Sequence, residues 1–167
     1  MVEPCAIPPG ALLQRYRAEG TFADCYTAAV TGRVTLARFV EAFYTTRLFK
    51  LERFALGLAG RPSTDDEAKQ LAQGARDTFA AWSVEGRAEH ELLLCDALGR
   101  TRSWLMVSPL RDAEAGTRLY FGSAVVPKQD RKSGEFRLGL GFESLLGFHK
   151  RYSVALLRAA CRRLEPE

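Results

Sequence analysis

Apolar positions recur along this chain with two different periods, and the points where the period changes divide it into helical and extended segments. From Phe22 to Val30 the run is rich in aromatic, Thr and small residues and stops at Thr31-Gly32, which predicts a strand and a turn. Leu36, Phe39, Val40 and Phe43 then repeat at helical spacing up to Tyr44, behind Thr35 as a cap. A second helix is predicted from Arg47 to Ala59, with Leu48, Leu51, Phe54, Ala55 and Leu58 on one stripe, closing at Gly60 with Pro62 beyond. The two helices meet at Thr45-Thr46. Thr64 and Glu67 form a capping box whose acids, Asp65, Asp66 and Glu67, suit a positive helix end. Ala68, Leu71, Ala72 and Ala75 give this third helix a narrow apolar face, and its end is predicted near Asp77.

After Thr78 the period falls to two. Phe79–Gly86, Glu91–Cys95, Arg100–Ser108 and Thr117–Val126 read as four strands joined by short connections, hence as an antiparallel meander. A polar loop is predicted from Pro127 to Gly134. A long helix follows from Phe142 to Leu164, with Phe142, Leu145, Leu146, Tyr152, Leu156 and Ala160 on one inward stripe. Residues 1–20, with three prolines and one short helical pattern from Ala11 to Ala18, form an arm or packed lead-in helix. Residues 21–167 form a single α+β domain in which the terminal helix packs on the inner face of an antiparallel sheet.

This order resembles the helix-grip fold of the START-like superfamily, the polyketide cyclase, dehydrase and lipid-transport group that includes the birch-pollen-allergen proteins. The resemblance spans residues 22–164: strand Phe22–Val30, helices within Leu36–Ala59, hairpin strands, then helix Phe142–Leu164. The phrase Phe39-Val-Glu-Ala-Phe43-Tyr-Thr-Thr-Arg-Leu-Phe49-Lys-Leu-Glu also resembles the helical opening of bacterial members. What the resemblance implies is a cavity between sheet and terminal helix that takes a small hydrophobic molecule.

Composition removes several function classes. The 167 residues carry 24 Lys plus Arg against 20 Asp plus Glu, with 47% hydrophobic residues, the balance of an ordinary globular domain. The opening Met-Val-Glu-Pro-Cys has an acid where a secretory leader has Lys or Arg, and no apolar run approaches the length of a membrane span, so a cytoplasmic protein is expected. Cys5, Cys25, Cys95 and Cys161 stand far apart beside only two histidines, which removes a zinc site, and no cofactor is expected. Cys25 and Cys95 read as small buried hydrophobes. Gly139-Leu-Gly141 lacks the third glycine and the βαβ setting of a dinucleotide fingerprint. Gly122-Ser123 has no partner glycine for a nucleophile elbow. Glu89-His90-Glu91 is a solvated turn.

The remaining candidates concern a cavity. His149 shares the inward stripe with Leu145 and Tyr152, while Lys150 and Arg151 turn away. It is either a core histidine bonded to a carbonyl or, with Tyr152, a polar anchor or proton donor in an apolar pocket; on both readings it should be largely buried, with a neutral ring. Arg102, Trp104 and Met106 alternate along one strand face. Facing inward, Arg102 would meet an acidic ligand group and Trp104 would line the cavity; facing outward, Arg102 is a surface residue and Trp104 packs on the arm. The function expected is binding of a small apolar or aromatic ligand, with an enzyme of the cyclase, dehydratase or isomerase kind as its variant, using His149 as acid/base. The alternative is a protein partner or anionic surface held by Lys150, Arg151, Arg158, Arg162 and Arg163. These five basic residues, against one acidic residue in 142–164, hold much of the net charge of +4 but form no sequence-specific nucleic-acid motif.

Overall fold

The first long strand finds its main partner far along the chain rather than among its sequence neighbours, and that choice organises the molecule. The structure is a computed structural model describing residues 1–17, 21–110, 116–126, 128–129, 136–137 and 142–165, with backbone only for 128–129, 136–137 and 142–146. In chain order the elements are β1 (Glu3–Pro4), a 3-10 turn (Leu12–Tyr16), β2 (Phe22–Thr31), α1 (Leu36–Tyr44), α2 (Arg47–Leu58), α3 (Asp65–Ala72), β3 (Thr78–Phe79), β4 (Trp82–Arg87), β5 (Glu91–Asp96), β6 (Thr101–Pro109), β7 (Gly116–Val125), β8 (Lys128–Gln129), β9 (Phe136–Arg137) and α4 (Phe142–Leu164). Seven strands form one open sheet in the order β1-β2-β7-β6-β5-β4-β3, with every pairing antiparallel. The α+β class and the long terminal helix packed on the sheet are therefore as the periodicity predicts.

The local signals behave as chemistry dictates. The Thr35 and Thr46 hydroxyls accept from the amides of Arg38 and Phe49, so each opens a helix, and Thr64 and Glu67 complete a reciprocal capping box. The third helix stops at Ala72 instead of near Asp77 because Gly74 takes φ 76°, a left-handed conformation that closes a helix end. The run Phe79–Gly86 is not one strand. Ala80, at φ 52°, makes a two-residue turn that folds β3 back on β4, pairing Phe79 with Trp82. Within the segment read as a loop from Pro127, Lys128–Gln129 pairs with Phe136–Arg137; the rest of that loop and the Gly139-Leu-Gly141 motif lie outside the described residues.

A larger correction concerns α2. Its predicted apolar stripe faces solvent: Leu51, Phe54 and Leu58 are 68%, 69% and 79% exposed. The helix instead turns inward the face that carries Phe49, Glu52, Arg53 and Leu56. Phe49 joins an aromatic cluster with Phe43, Tyr44 and Phe79. Arg53 is buried as well, bonded to Ser63 Oγ (3.0 Å), the Ser63 carbonyl (2.6 Å) and Asp65 Oδ1 (2.6 Å), with its guanidinium over the Phe79 ring. Asp65 is only partly covered; the opposing effect of burial is outweighed by Lys50 and Arg53, which hold its carboxyl below the ordinary range. A guanidinium with a partner at each of its three nitrogens is a stable inward residue, so a polar-looking face wins over an apolar one.

Both sheet faces are covered. One carries Tyr26, Ala28, Val30, Leu92, Leu94, Leu105, Leu119 and Phe121 against α1, α3 and α4. The other packs Cys25, Leu93, Trp104 and Ala124 against Ile7, Ala11 and Leu13 of the amino-terminal arm. The arm lies close because Gly122 has no side chain: a Cβ there would stand 2.5 Å from Leu13.

The inverted α2 gives a direct test. Phe49→Ala should cost about 3–5 kcal/mol through loss of a buried ring, whereas Phe54→Ala should cost less than about 0.5 kcal/mol as an exposed substitution. Urea denaturation of the two variants measures both, and equal costs would mean that the helix is rolled the other way.

Candidate functional site

Where α4 crosses the sheet it does not close on it completely, because α2 holds it off at one end. The space between them is a cavity of about 320 Å³. Phe43 of α1 and Phe49 and Leu56 of α2 form one wall; Trp82, Ser103, Phe121 and Ser123 of the sheet form the floor; His149, Tyr152, Ser153 and Leu156 of α4 form the roof. Larger hollows exist elsewhere, such as the groove of about 540 Å³ between Arg33 and Pro109. Among the described residues the α4 cavity combines aromatic walls with several buried polar groups, the usual chemistry of a small-molecule site.

Its polar groups fall into two sets. In the first, the Tyr152 hydroxyl donates to Glu52 Oε2 at 2.7 Å. Burial raises the Glu52 carboxyl above its ordinary value, and the bond from Tyr152 only partly offsets that. Burial, and then the Glu52 charge, push the Tyr152 phenol up, so the phenol keeps its proton. Nearby, Ser153 Oγ and Trp82 Nε1 are buried and have no partner among the described residues. Such orphans ordinarily cost about 1–3 kcal/mol each unless something satisfies them. Deeper in the floor, the Tyr44 hydroxyl and Ser103 Oγ bond each other at 2.9 Å.

The second set is a chain of three residues. Asp24 Oδ1 lies 2.6 Å from Ser123 Oγ and 3.2 Å from the Ser123 amide, and His149 Nε2 lies 2.7 Å from the same Oγ. The geometry fixes the direction of the protons. A carboxylate only accepts, so Ser123 gives its single hydroxyl proton to Asp24 and must accept from His149 Nε2–H. That places a proton on Nε2. It is the reverse of a hydrolase arrangement, in which histidine takes the serine proton and the carboxylate orients the histidine. The second Asp24 oxygen, 3.9 Å from His149 Nε2, has no hydrogen-bond partner among the described residues. Phe22 meets the imidazole edge to face.

His149 and Tyr152 thus come together at the cavity, while the other two sequence candidates do not join them. His149 is 31% exposed, less buried than its stripe implies, because it sits at the rim of the cavity rather than under the helix. The Leu145 side chain lies outside the described residues. Trp104 is on the opposite sheet face, fully buried under the arm, with Nε1 donating to Glu91 Oε2 at 2.7 Å. Arg102 contributes to the cavity edge, but its guanidinium is directed elsewhere: Nε bonds Glu85 Oε2 at 2.9 Å, Nη1 bonds the Gly99 carbonyl at 2.6 Å, and the plane covers the Tyr16 ring. Tyr16 also bonds Glu85. Trp104 therefore packs on the arm, as the outward reading has it, but Arg102 is largely covered instead of lying on the surface, and among the described residues no arginine charge is directed into the cavity to meet an acid. Among the described residues no cluster of metal-ligating side chains occurs.

Sequence reasoning missed Asp24, Glu52, Ser123 and Ser153. Glu52 had a signal, since Phe49, Glu52, Arg53 and Leu56 fall at helical spacing on one face, but a face with two charges looks solvated until Arg53 is seen to have partners. Asp24 and Ser123 had none: they meet only through the register that pairs them across β2 and β7.

The raised Glu52 carboxyl makes stability pH-dependent with a definite sign. A raised folded pKa means the native state holds the proton more tightly, so its stabilising contribution is complete below the ordinary value of 4.5 and is lost as pH rises through the folded value. Glu52→Gln should therefore gain stability relative to the parent protein as pH climbs from below 4.5 toward neutrality. Denaturant midpoints of the pair across that range measure it, and a gap that shrinks with rising pH would refute the assignment. No protein-family model matches the chain and no curated protein matches it, so the functional reading stands on these contacts.

Proposed function

We propose that this protein binds a small apolar or aromatic molecule carrying one polar group in the cavity between sheet and α4, in the manner of the START-like helix-grip proteins that its element order resembles. The observation that carries the reading is the cavity itself, with aromatic and aliphatic walls and, at its rim and roof, His149, Tyr152, Glu52 and the orphaned Ser153. A volume of about 320 Å³ suits a ligand of one or two rings. Nδ1 of His149 accepts a hydrogen bond from the ligand, and Ser123 with Asp24 behind it holds the ring in place. Turnover by proton transfer at Nδ1 is the enzymatic variant of the same reading.

The basic side of α4 favours a second reading. Lys150, Arg151, Arg158, Arg162 and Arg163 are all exposed, and Arg151, Arg158 and Arg162 follow one another along a single helix line. An anionic surface or partner is the complement of such a line, but with few charges the attraction is screened at physiological ionic strength. No helix among the described residues is long and apolar enough to cross a membrane, and the four free cysteines accord with a cytoplasmic setting.

Fluorescence titration with the neutral apolar dye N-phenyl-1-naphthylamine tests the first reading. Saturable binding at one site with a blue-shifted emission is expected, and its absence overturns the cavity reading. His149→Gln should keep the melting temperature within a few degrees and weaken a polar displacing ligand by roughly three- to tenfold, the worth of one hydrogen bond. Loss of stability with binding intact would make His149 structural.

A further inference from the structure

We infer that the polar group carried by the cavity's ligand is a cationic amine, so that the site selects small aromatic or arylalkyl amines over the corresponding acids and alcohols. This rests on the cavity reading above and adds the charge of the ligand to it. The described lining side chains include the carboxylates of Glu52 and Asp96, with the Asp24 carboxylate just behind Ser123. They include no lysine, and Arg102 is spent on Glu85 and the Gly99 carbonyl. Asp96 already accepts from the amides of Arg100 and Thr101. Glu52 is different: one oxygen accepts from a neutral phenol, and no cation in the described structure compensates it. An ammonium group beside Glu52 supplies the missing charge and is faced by the π systems of Phe43, Phe49, Trp82 and Phe121, which attract cations. A carboxylate in the same place would be repelled by Glu52 and would find no free guanidinium among the described lining residues. Ser153 Oγ, buried in the α4 roof of the same cavity and without a partner among the described residues, is an acceptor for a second N–H.

Three probes of nearly one shape decide the ligand class: 3-phenylpropan-1-amine, 3-phenylpropan-1-ol and 3-phenylpropanoate, each displacing the dye from the full chain. The amine should displace it at a concentration roughly tenfold below the alcohol, with the acid weakest, and Glu52→Gln should bring the amine and alcohol together. Dye binding with the alcohol or acid equal to or better than the amine overturns the amine inference and leaves the cavity reading standing. An amine preference that survives Glu52→Gln overturns the role of Glu52. Failure of the dye and all three probes to bind removes the cavity reading as well. The ranking in the native protein needs no variant to fold.

A separate observation on the other sheet face carries a second inference. Cys5 stands opposite Cys25 where β1 runs on beside β2, with its amide bonded to the Cys25 carbonyl at 2.9 Å and the two sulfur atoms 3.2 Å apart. The structure assigns these two thiols as a site that a low-molecular-weight disulfide oxidises to a Cys5–Cys25 bridge. Cys5, the more exposed thiol, attacks one sulfur of the disulfide RSSR and expels RS⁻; Cys25 then attacks the Cys5 sulfur of the mixed disulfide and expels the second RS⁻. The two thiol protons end on the two RSH released, so two protein thiols and one RSSR give one bridge and two RSH. The hydrogen bond with Cys25, against the opposing effect of burial, and the charge of Arg118 hold Cys5 below the ordinary thiol value, which favours Cys5 as the first attacking thiolate; the same hydrogen bond, then burial, push the Cys25 thiol up, so Cys25 gives up its proton only once Cys5 is tied up in the mixed disulfide. The bridge would pin the arm over Trp104. Oxidised glutathione added to the reduced native chain should remove two of the four free thiols, give a peptide linking Cys5 to Cys25, and raise the melting temperature. In Cys25→Ser, Cys5 should instead stop at the mixed disulfide with glutathione. Four thiols remaining in the native chain, or a bridge through Cys95 or Cys161, would overturn the assignment.

Discussion

The pairing of β2 with β7 is the interaction on which the rest of the molecule depends. Ten residue pairs, from Phe22 with Val125 to Thr31 with Gly116, join an early strand to the last long one. The chain between them must be looped out as three helices and the β3–β6 meander, and that closure cost is repaid only when the whole ladder forms. Everything at the cavity floor inherits its position from this register. Asp24 sits across from Ser123 because of it, and a slip of β2 by one residue would send Asp24 to the arm face, away from Ser123, and bring Cys25 inward.

A sheet that is apolar on both faces needs two covers, and the two are built differently. The helical side is thick and aromatic, and its packing is governed by large rings around Phe43 and Phe49. The arm side is a single layer of chain, so it depends on close approach and on polar ties. The missing side chain at Gly122 admits Leu13, and Glu91 Oε2 accepts from both the Leu12 amide and Trp104 Nε1 at 2.8 and 2.7 Å. Arg102 and Glu85 then clamp Tyr16 at the far end of the arm. This division of labour is why an arginine on a strand next to the cavity does not serve it: the thin layer needed the charge more.

Most of the element order was legible because caps and periods are local. Thr35, the Thr64–Glu67 box and the change to period two after Thr78 each act over a few residues, and each element appears where its signal stood. The failures came where a local pattern was overruled from outside. The stripe Leu51, Phe54 and Leu58 lost to a face containing Glu52 and Arg53 because Ser63 and Asp65, ten and twelve residues on, bury the guanidinium with a partner at each of its nitrogens. The site was half legible for the same reason. Helical spacing puts His149 and Tyr152 on one wall, but the partners that give them chemical meaning, Ser123 and Glu52, lie 26 and 100 residues away and are joined to them only by the fold.

The two polar sets of the cavity also differ in what they ask of the protein. Asp24, Ser123 and His149 form a chain in which the Ser123 and His149 Nε2 protons each have a defined acceptor, so the set orients the imidazole, at the cost of leaving the second Asp24 oxygen without a partner among the described residues. Glu52 with Tyr152, and Ser153 beside them, form an incomplete set: a carboxyl raised by burial, supported by one neutral donor and flanked by an orphaned hydroxyl. A fold selected only for stability would replace Glu52 with an apolar residue, since the helix face around it is otherwise closed by Phe49 and Leu56. Arg53, its neighbour, shows that α2 can carry a buried charge when partners are supplied. Glu52 has the burial without a counter-charge among the described residues, and the proposed amine would supply that charge.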